Sequence, residues 1–393
     1  MTSLLVSYAC ESELDNTLPQ KAVSAQLKTT NMHMITNGMD LTAINGVLSQ
    51  AQSGDVIEVE SGTYDITGKL ELKDGITLRK VQGKSSPVFS ARSKTDEMLE
   101  QDWNTGNNNV IIQGIIFHNI RFKIENASNT SFSYCIFDYG VRKAGTNKWN
   151  NTNDAYIQVT SGANIEIRSC SFKRRMNNSG RGVFVKQSNH TKITKNNFGD
   201  TDATAYFVTA INDNSNGTLI EDNTIKRNVL WVNKDETDHG IYAHSFDGLM
   251  IKNNTISGWP ANGEGGAVKA RNGKNLTITG NIMNDSGIIL NVYNNLSANY
   301  LENVVVQNNT ITLAGYNNDI YSGIGYWKNT SDTSFYEKSI KIDNNTLING
   351  AIKITPSHLN ITSFNENGGG VHNNTAKAYF IAAGIDTSGN ITN

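Results

Sequence analysis

The chain has 393 residues, with 34 basic and 36 acidic side chains and a formal net charge of -2. So even a balance sets up no global field that recruits nucleic acid, and attraction to any anion has to be local. No apolar stretch is long enough to cross a membrane as a helix.

The start, Met1-Thr-Ser-Leu-Leu-Val-Ser-Tyr-Ala-Cys10, is short, apolar and ends at a cysteine. It has the form of a lipoprotein signal remnant, with Cys10 as the lipidated residue of an exported, outer-surface protein. Residues 1–36 are then a signal remnant and polar tether, and residues 37–393 a single domain. Asp40 to Gln52 follows as an amphipathic helix with Leu41, Ile44, Val47 and Leu48 on one face. Gly54-Asp-Val-Ile-Glu-Val-Glu-Ser-Gly-Thr-Tyr64 is a strand and turn.

Beyond it a motif recurs: aliphatic, two variable positions, Asn, one variable position, apolar. It runs through Asn196, Asn223, Asn254, Asn281, Asn309, Asn345 and Asn374, spaced 27, 31, 27, 28, 36 and 29 residues apart. A repeat of that length means a solenoid. Each unit holds short runs of period-two alternation between Asn, Gly, Asp and Ser, so it is built of strands and turns and has no room for long helices. The architecture expected is an all-β, right-handed parallel β-helix of about ten coils stacked at strand spacing, about 4.8 Å, with the N-terminal helix plugging its open end. Asn is then an interior turn residue whose amide bonds to the coils above and below. The Asn-Asn-Thr triplets resemble glycosylation acceptors but fall out of these turns. Earlier coils carry Ile115, Cys135 and Cys170 at the ladder position, so that end is more apolar inside, and the two cysteines are small core residues, neither a redox nor a metal pair.

The ladder serves as a ruler. Tyr242 lies 12 residues before Asn254, Lys269 lies 12 before Asn281, and Gln158 lies 12 before Cys170. His244, Arg271 and Lys186 each lie 10 before their ladder residue. Alternation turns Ile241, Ala243, Val268 and Ala270 inward and the polar residues outward. Tyr242 is therefore expected beside Lys269, and His244 beside Arg271, with Tyr156, Gln158, Lys186, Asn291 and Tyr293 on the same face. Like charges on one sheet face repel, so the clustered cations make sense with an anion over them.

That chemistry suits β-elimination of a uronic acid polymer. Cations neutralise the C5 carboxylate and stabilise the enolate. A lysine near other cations serves as base, and a tyrosine returns the proton to O4. Hydrolysis would need grouped carboxylates, and only Asp238 with Glu264 offers a pair. A non-catalytic polysaccharide-binding rod is the third alternative; it would show aromatic stripes without a compact acid–base cluster.

The cap helix, the Gly-Asp-Val-Ile-Glu-Val…Gly-Thr-Tyr opening and the Asn turns resemble β-helical polysaccharide lyases. Asp238-His-Gly-Ile-Tyr-Ala-His244 with Gly265-Gly-Ala-Val-Lys-Ala-Arg271 is similar to the family 31 alginate lyases. That resemblance implies metal-independent elimination with Tyr242 and Lys269 as catalytic pair, no cofactor, an alginate-like anionic polysaccharide as partner, and a monomer. Family 6 alginate and dermatan lyases carry a calcium-binding Glu five residues before the lysine. Glu264 fits that spacing, with Asp238 as a further Ca2+ ligand, but the following coil lacks the family's Arg.

Overall fold

A computed structural model describes residues 30–93, 97–103, 108–141, 155–173, 181–199, 209–227, 239–259, 266–316 and 322–393. The chain is a parallel β-helix. Every strand pairs in parallel with the strand one coil away. Three faces result. The ladder face starts at Met32–Ile35, pairs it with Val56–Val59, and continues through Thr77–Lys80 and Ile111–Gln113 toward the C-terminus. The third face is a 13-stranded sheet from Thr63–Asp65 to Ile391–Thr392, more coils than the Asn signature marks. The site face carries Leu99–Trp103, Ile120–Glu125, Ala155–Thr160, Arg181–Lys186, Thr209–Asp213, His239–Asp247, the first half of Gly266–Thr279, Ile288–Val292, Gly323–Lys328, Ala351–Ile354 and Ala378–Ile381. The ladder face thus begins inside the stretch expected as tether. Cys10 lies outside the described residues. The 36-residue spacing from Asn309 to Asn345 contains the site-face strand Gly323–Lys328.

The Asn ladder forms because one residue type satisfies both directions along the stack. From Asn196 to Asn374 each Nδ2 donates to the next rung's Oδ1 at 2.9–3.1 Å. Each backbone N–H bonds the same oxygen. Asn390, short of a full repeat from Asn374, is one more rung. The residue just before each rung is left-handed, with φ of 54° at Asn253, Asn308 and Asn344 and 52° at Asn373. Asn tolerates that region best after Gly, which explains the doubled Asn: the first makes the turn and the second enters the core.

Ile115, Cys135 and Cys170 occupy the earlier rungs, buried, with both cysteines free. Beside them Phe137, Phe172 and Phe198 stack along the axis, at 5.0 and 4.6 Å between centroids. The helix at the N-terminal end spans Leu41–Gln50. Asp40 caps it by accepting from Ala43 N–H at 2.8 Å, and Ile44 and Leu48 plug the core.

Candidate active site

Tyr242 pairs with Lys269, and His244 with Arg271, on adjacent strands of the site face. Ile241, Ala243, Val268 and Ala270 are fully buried beneath them, so alternation aims the four polar side chains outward.

Tyr242 is the centre of the cluster. Its ring packs against Ala155 and Phe184. His239 lies nearly parallel to it at 5.5 Å, and His244 is tilted against it, also at 5.5 Å. Arg271 Nη1 donates to the Tyr242 hydroxyl at 3.0 Å. The guanidinium also lies over the Tyr293 ring, 4.8 Å from its centroid. A hydrogen bond from a cation strengthens as the accepting oxygen gains negative charge, so this contact favours charge on the phenol oxygen. Arg271 makes no ion pair with any described residue, and its Nε is buried without an acceptor. An Arg held by two neutral rings keeps its charge for a ligand.

Asn272 explains where Tyr293 sits. It is buried and left-handed, with φ 37°. Its amide accepts from Tyr293 N–H at 2.7 Å and donates to the Tyr293 carbonyl at 2.9 Å. Both backbone groups of Tyr293 are thereby clamped, and the ring is delivered under Arg271.

The remaining sequence-derived residues spread out. Lys186 shares Arg271's column, but Asp213 and His244 stand between them, which puts it about 14 Å away at strand spacing. Gln158 shares Tyr242's column at the same remove, behind Phe184 and Ile211. It is nearly buried and donates to Thr160 Oγ1 at 3.3 Å. Asn291 lies directly beside Arg271, yet it is buried and donates to the Trp327 carbonyl at 2.9 Å. Tyr156 does not reach the face. It is fully buried, packs near Phe137 and Phe172, and its hydroxyl accepts from Gly140 N–H at 2.9 Å. Two consecutive residues, Tyr156 and Ile157, both face the core at the corner where the strand begins, so alternation counted through that corner gives the wrong sign.

His239 is the converse. Counted by alternation it faces inward, yet it stacks on Tyr242. Burial, with the charges of Lys269 and Arg271 nearby, holds its imidazole well below the ordinary value, so it is neutral. The ring therefore adds shape to the cluster without adding a further cation.

Asp238 and Glu264, the carboxylates of the calcium and hydrolase alternatives, lie outside the described residues. Among the described residues no group of three or more His, Cys, Asp or Glu converges as a metal site.

No family model and no curated protein matches this chain. Solved structures do. The surface adhesin PfbA of Streptococcus pneumoniae superposes with a TM-score of 0.59 at 13% identity, covering 93% of this chain and 97% of that one. An alginate lyase from Paenibacillus sp. gives 0.48 at 15% identity, over 75% and 95%. The PL6 family alginate lyase AlyGC gives 0.49 at 16%, over 92% and 51%. What is shared at these identities is the parallel β-helix, a fold that carries unrelated functions.

Proposed function

We propose that the chain is a polysaccharide lyase that cleaves a uronate polymer of the alginate type by β-elimination. The observation that carries this is Arg271: a cation hydrogen-bonded to Tyr242, stacked on Tyr293, and without an ion-pair partner among the described residues. Its register neighbour column supplies Lys269 next to Tyr242.

In the reaction, Arg271 and His244 bind the C5 carboxylate and stabilise the enolate that forms when the proton leaves. Lys269, in its neutral form, takes the C5 proton. The electron pair forms the C4=C5 double bond and expels O4, which Tyr242 protonates. Arg271, bound to the phenol oxygen, stabilises the phenolate left after that transfer. Neutral His239 fixes the phenol plane. No described residue of the cluster requires a metal for these steps; a calcium-dependent route would use Glu264 and Asp238. A polymeric substrate places the work outside the cytoplasm.

The test is to mix the protein with alginate and follow the ultraviolet absorbance of the unsaturated product. Lys269→Ala and Tyr242→Phe should each remove most activity, and Arg271→Lys should lower kcat/KM by roughly 10²–10³-fold, as for loss of one preorganised charge stabiliser. Absence of absorbance with alginate, pectate and glycosaminoglycans rejects the lyase; tight binding without absorbance would identify a binding rod. Full activity in excess chelator rejects the calcium route.

A further inference from the structure

A cavity of about 430 Å3 opens on the ladder face, lined by Arg79, Lys80, Gln82, Gln113, Gly114 and Tyr134. It belongs to different strands from the active-site cluster: Thr77–Lys80, Ile111–Gln113 and the turn after Ser131–Ser133. Along the stack, the ladder passes through Cys170, Asn196 and Asn223 between Tyr134's coil and Tyr242's, which is about 19 Å of rise.

Tyr134 is the unusual residue. It occupies the left-handed turn position before the ladder residue, with φ 56°, and is 58% exposed. Later coils fill that position with Ser169, Lys195 and Asp222 and from Asn253 onward with Asn or Gly, none of them aromatic. A bulky aromatic in that region costs about 1–2 kcal/mol relative to Gly or Asn. The ring makes no aromatic contact or side-chain hydrogen bond among the described residues, and more than half of the residue is exposed. Strain without a structural return is found where a side chain serves a ligand.

The rest of the cavity is built to complement it. Arg79 is tied to Glu58 at 2.8 Å, but Lys80 has no acidic partner among the described residues. Its stem lies along Gly114, where a Cβ would come within 2.9 Å of Lys80 Cγ. Gly114, with φ 73°, is thus the residue that lets Lys80 lie in the cavity wall. Gln113, on the same strand, adds an amide with no side-chain hydrogen bond in the described structure.

We infer that this cavity is a secondary, non-catalytic site for an acidic sugar unit. The Tyr134 ring packs on a sugar face, Lys80 binds its carboxylate, and Gln113 and Gln82 bond its hydroxyls. The ligand class rests on the proposed lyase reading; the cavity does not.

The test uses the full chain carrying Lys269→Ala and Tyr242→Phe, titrated calorimetrically with an alginate hexamer, a neutral glucose hexamer, and inorganic phosphate. Tyr134→Asn is the decisive addition, because Asn suits the turn and the protein should fold with equal or higher Tm. Expected are two hexamer sites, one lost with Tyr134→Asn or Lys80→Ala and the other with Arg271→Ala. The pocket site should weaken at least tenfold. If Arg271→Ala leaves both sites, the lyase reading falls while this one stands. The inference is overturned if Tyr134→Asn leaves stoichiometry and affinity unchanged, if the neutral hexamer binds the pocket equally well, or if phosphate alone fills it as tightly.

Discussion

Replacing Asn254 by Ala should destabilise the protein by about 3–9 kcal/mol. The figure follows from its bonds. Its Oδ1 accepts from Asn223 N–H and Nδ2, each at 2.9 Å. Its Nδ2 donates to the Ile220 carbonyl at 2.9 Å, the Lys252 carbonyl at 3.0 Å and Asn281 Oδ1 at 3.0 Å. Some partners survive the loss. Asn223 Nδ2 keeps Ile193 O, and Asn281 Oδ1 keeps Asn254 N–H. Asn223 N–H does not, because Asn254 Oδ1 is its ladder acceptor and Asn223 is buried. One orphaned donor costs about 1–3 kcal/mol, and the other lost bonds about 0.5–1.5 kcal/mol each. Water cannot readily repair a rung that is fully inside the stack. The assay is the urea midpoint followed by circular dichroism. Thr255→Ala is the control: Thr255 is the exposed neighbour and should stay within about 0.5 kcal/mol. An Asn254→Ala protein within about 1 kcal/mol of the parent would show that the rung is not a stabilising network, and the ruler built on it would lose its physical basis.

His239→Phe should keep a ring against Tyr242 while flattening the acid side of the stability curve. Because burial, Lys269 and Arg271 hold the folded imidazole well below its ordinary 6.5, the unfolded chain takes up a proton below 6.5 that the folded chain does not; stability is full above that pH and falls as pH drops through it. Tm measured from about pH 7 to about pH 5 reads this, and an unchanged slope in the variant contradicts it. At the C-terminal end, Lys328→Met should cost about 3–5 kcal/mol, the range for removing one partner of a buried ion pair. Glu337 is fully buried and depends on Lys328 at 3.3 Å and on the Tyr326 hydroxyl, which donates to it at 2.8 Å. A Tm unchanged by Lys328→Met would mean that Tyr326 and the Asn360 N–H suffice.

The coil repeat and its register were legible because both rest on short-range rules. The ladder needs Asn for its two-sided amide, and the turn before it needs a residue that tolerates positive φ, so the pattern Asn-Asn-Thr carries both demands in adjacent letters. From that register the pairing of Tyr242 with Lys269 and His244 with Arg271 follows by counting. What counting does not supply is cover. Gln158 and Asn291 are on the predicted columns but buried, because exposure depends on neighbouring side chains and loops that have no period. The clamp of Asn272 on Tyr293 was likewise hidden, since it joins a corner to a segment one coil on through a single amide.

Tyr156 and His239 exchange places for one physical reason. Six of the site-face strands enter around a corner at which two successive residues lie against the core. The first of each pair is Tyr156, Gly240, Ala267, Gly287, Gly323 or Ala351, followed by Ile157, Ile241, Val268, Ile288, Ile324 or Ile352. From Gly240 onward the first position is small because the next coil's backbone lies against it. A Cβ at Gly240 would come within 2.8 Å of the Ala267 carbonyl, and one at Gly287 or Gly323 would overlap the carbonyl of Gly323 or Ala351. Gly-Ile, Ala-Val, Gly-Ile, Gly-Ile, Ala-Ile is therefore a readable corner signature. Once it is recognised, the parity of everything before it reverses. Tyr156 turns inward as a large occupant of that column, and His239, one residue before Gly240, is thrown outward against Tyr242. Its column mate on the next coil is Gly266, so the imidazole has a side-chain-free neighbour there. The tight corner that makes the first core position small thus also sets the His239 ring against Tyr242.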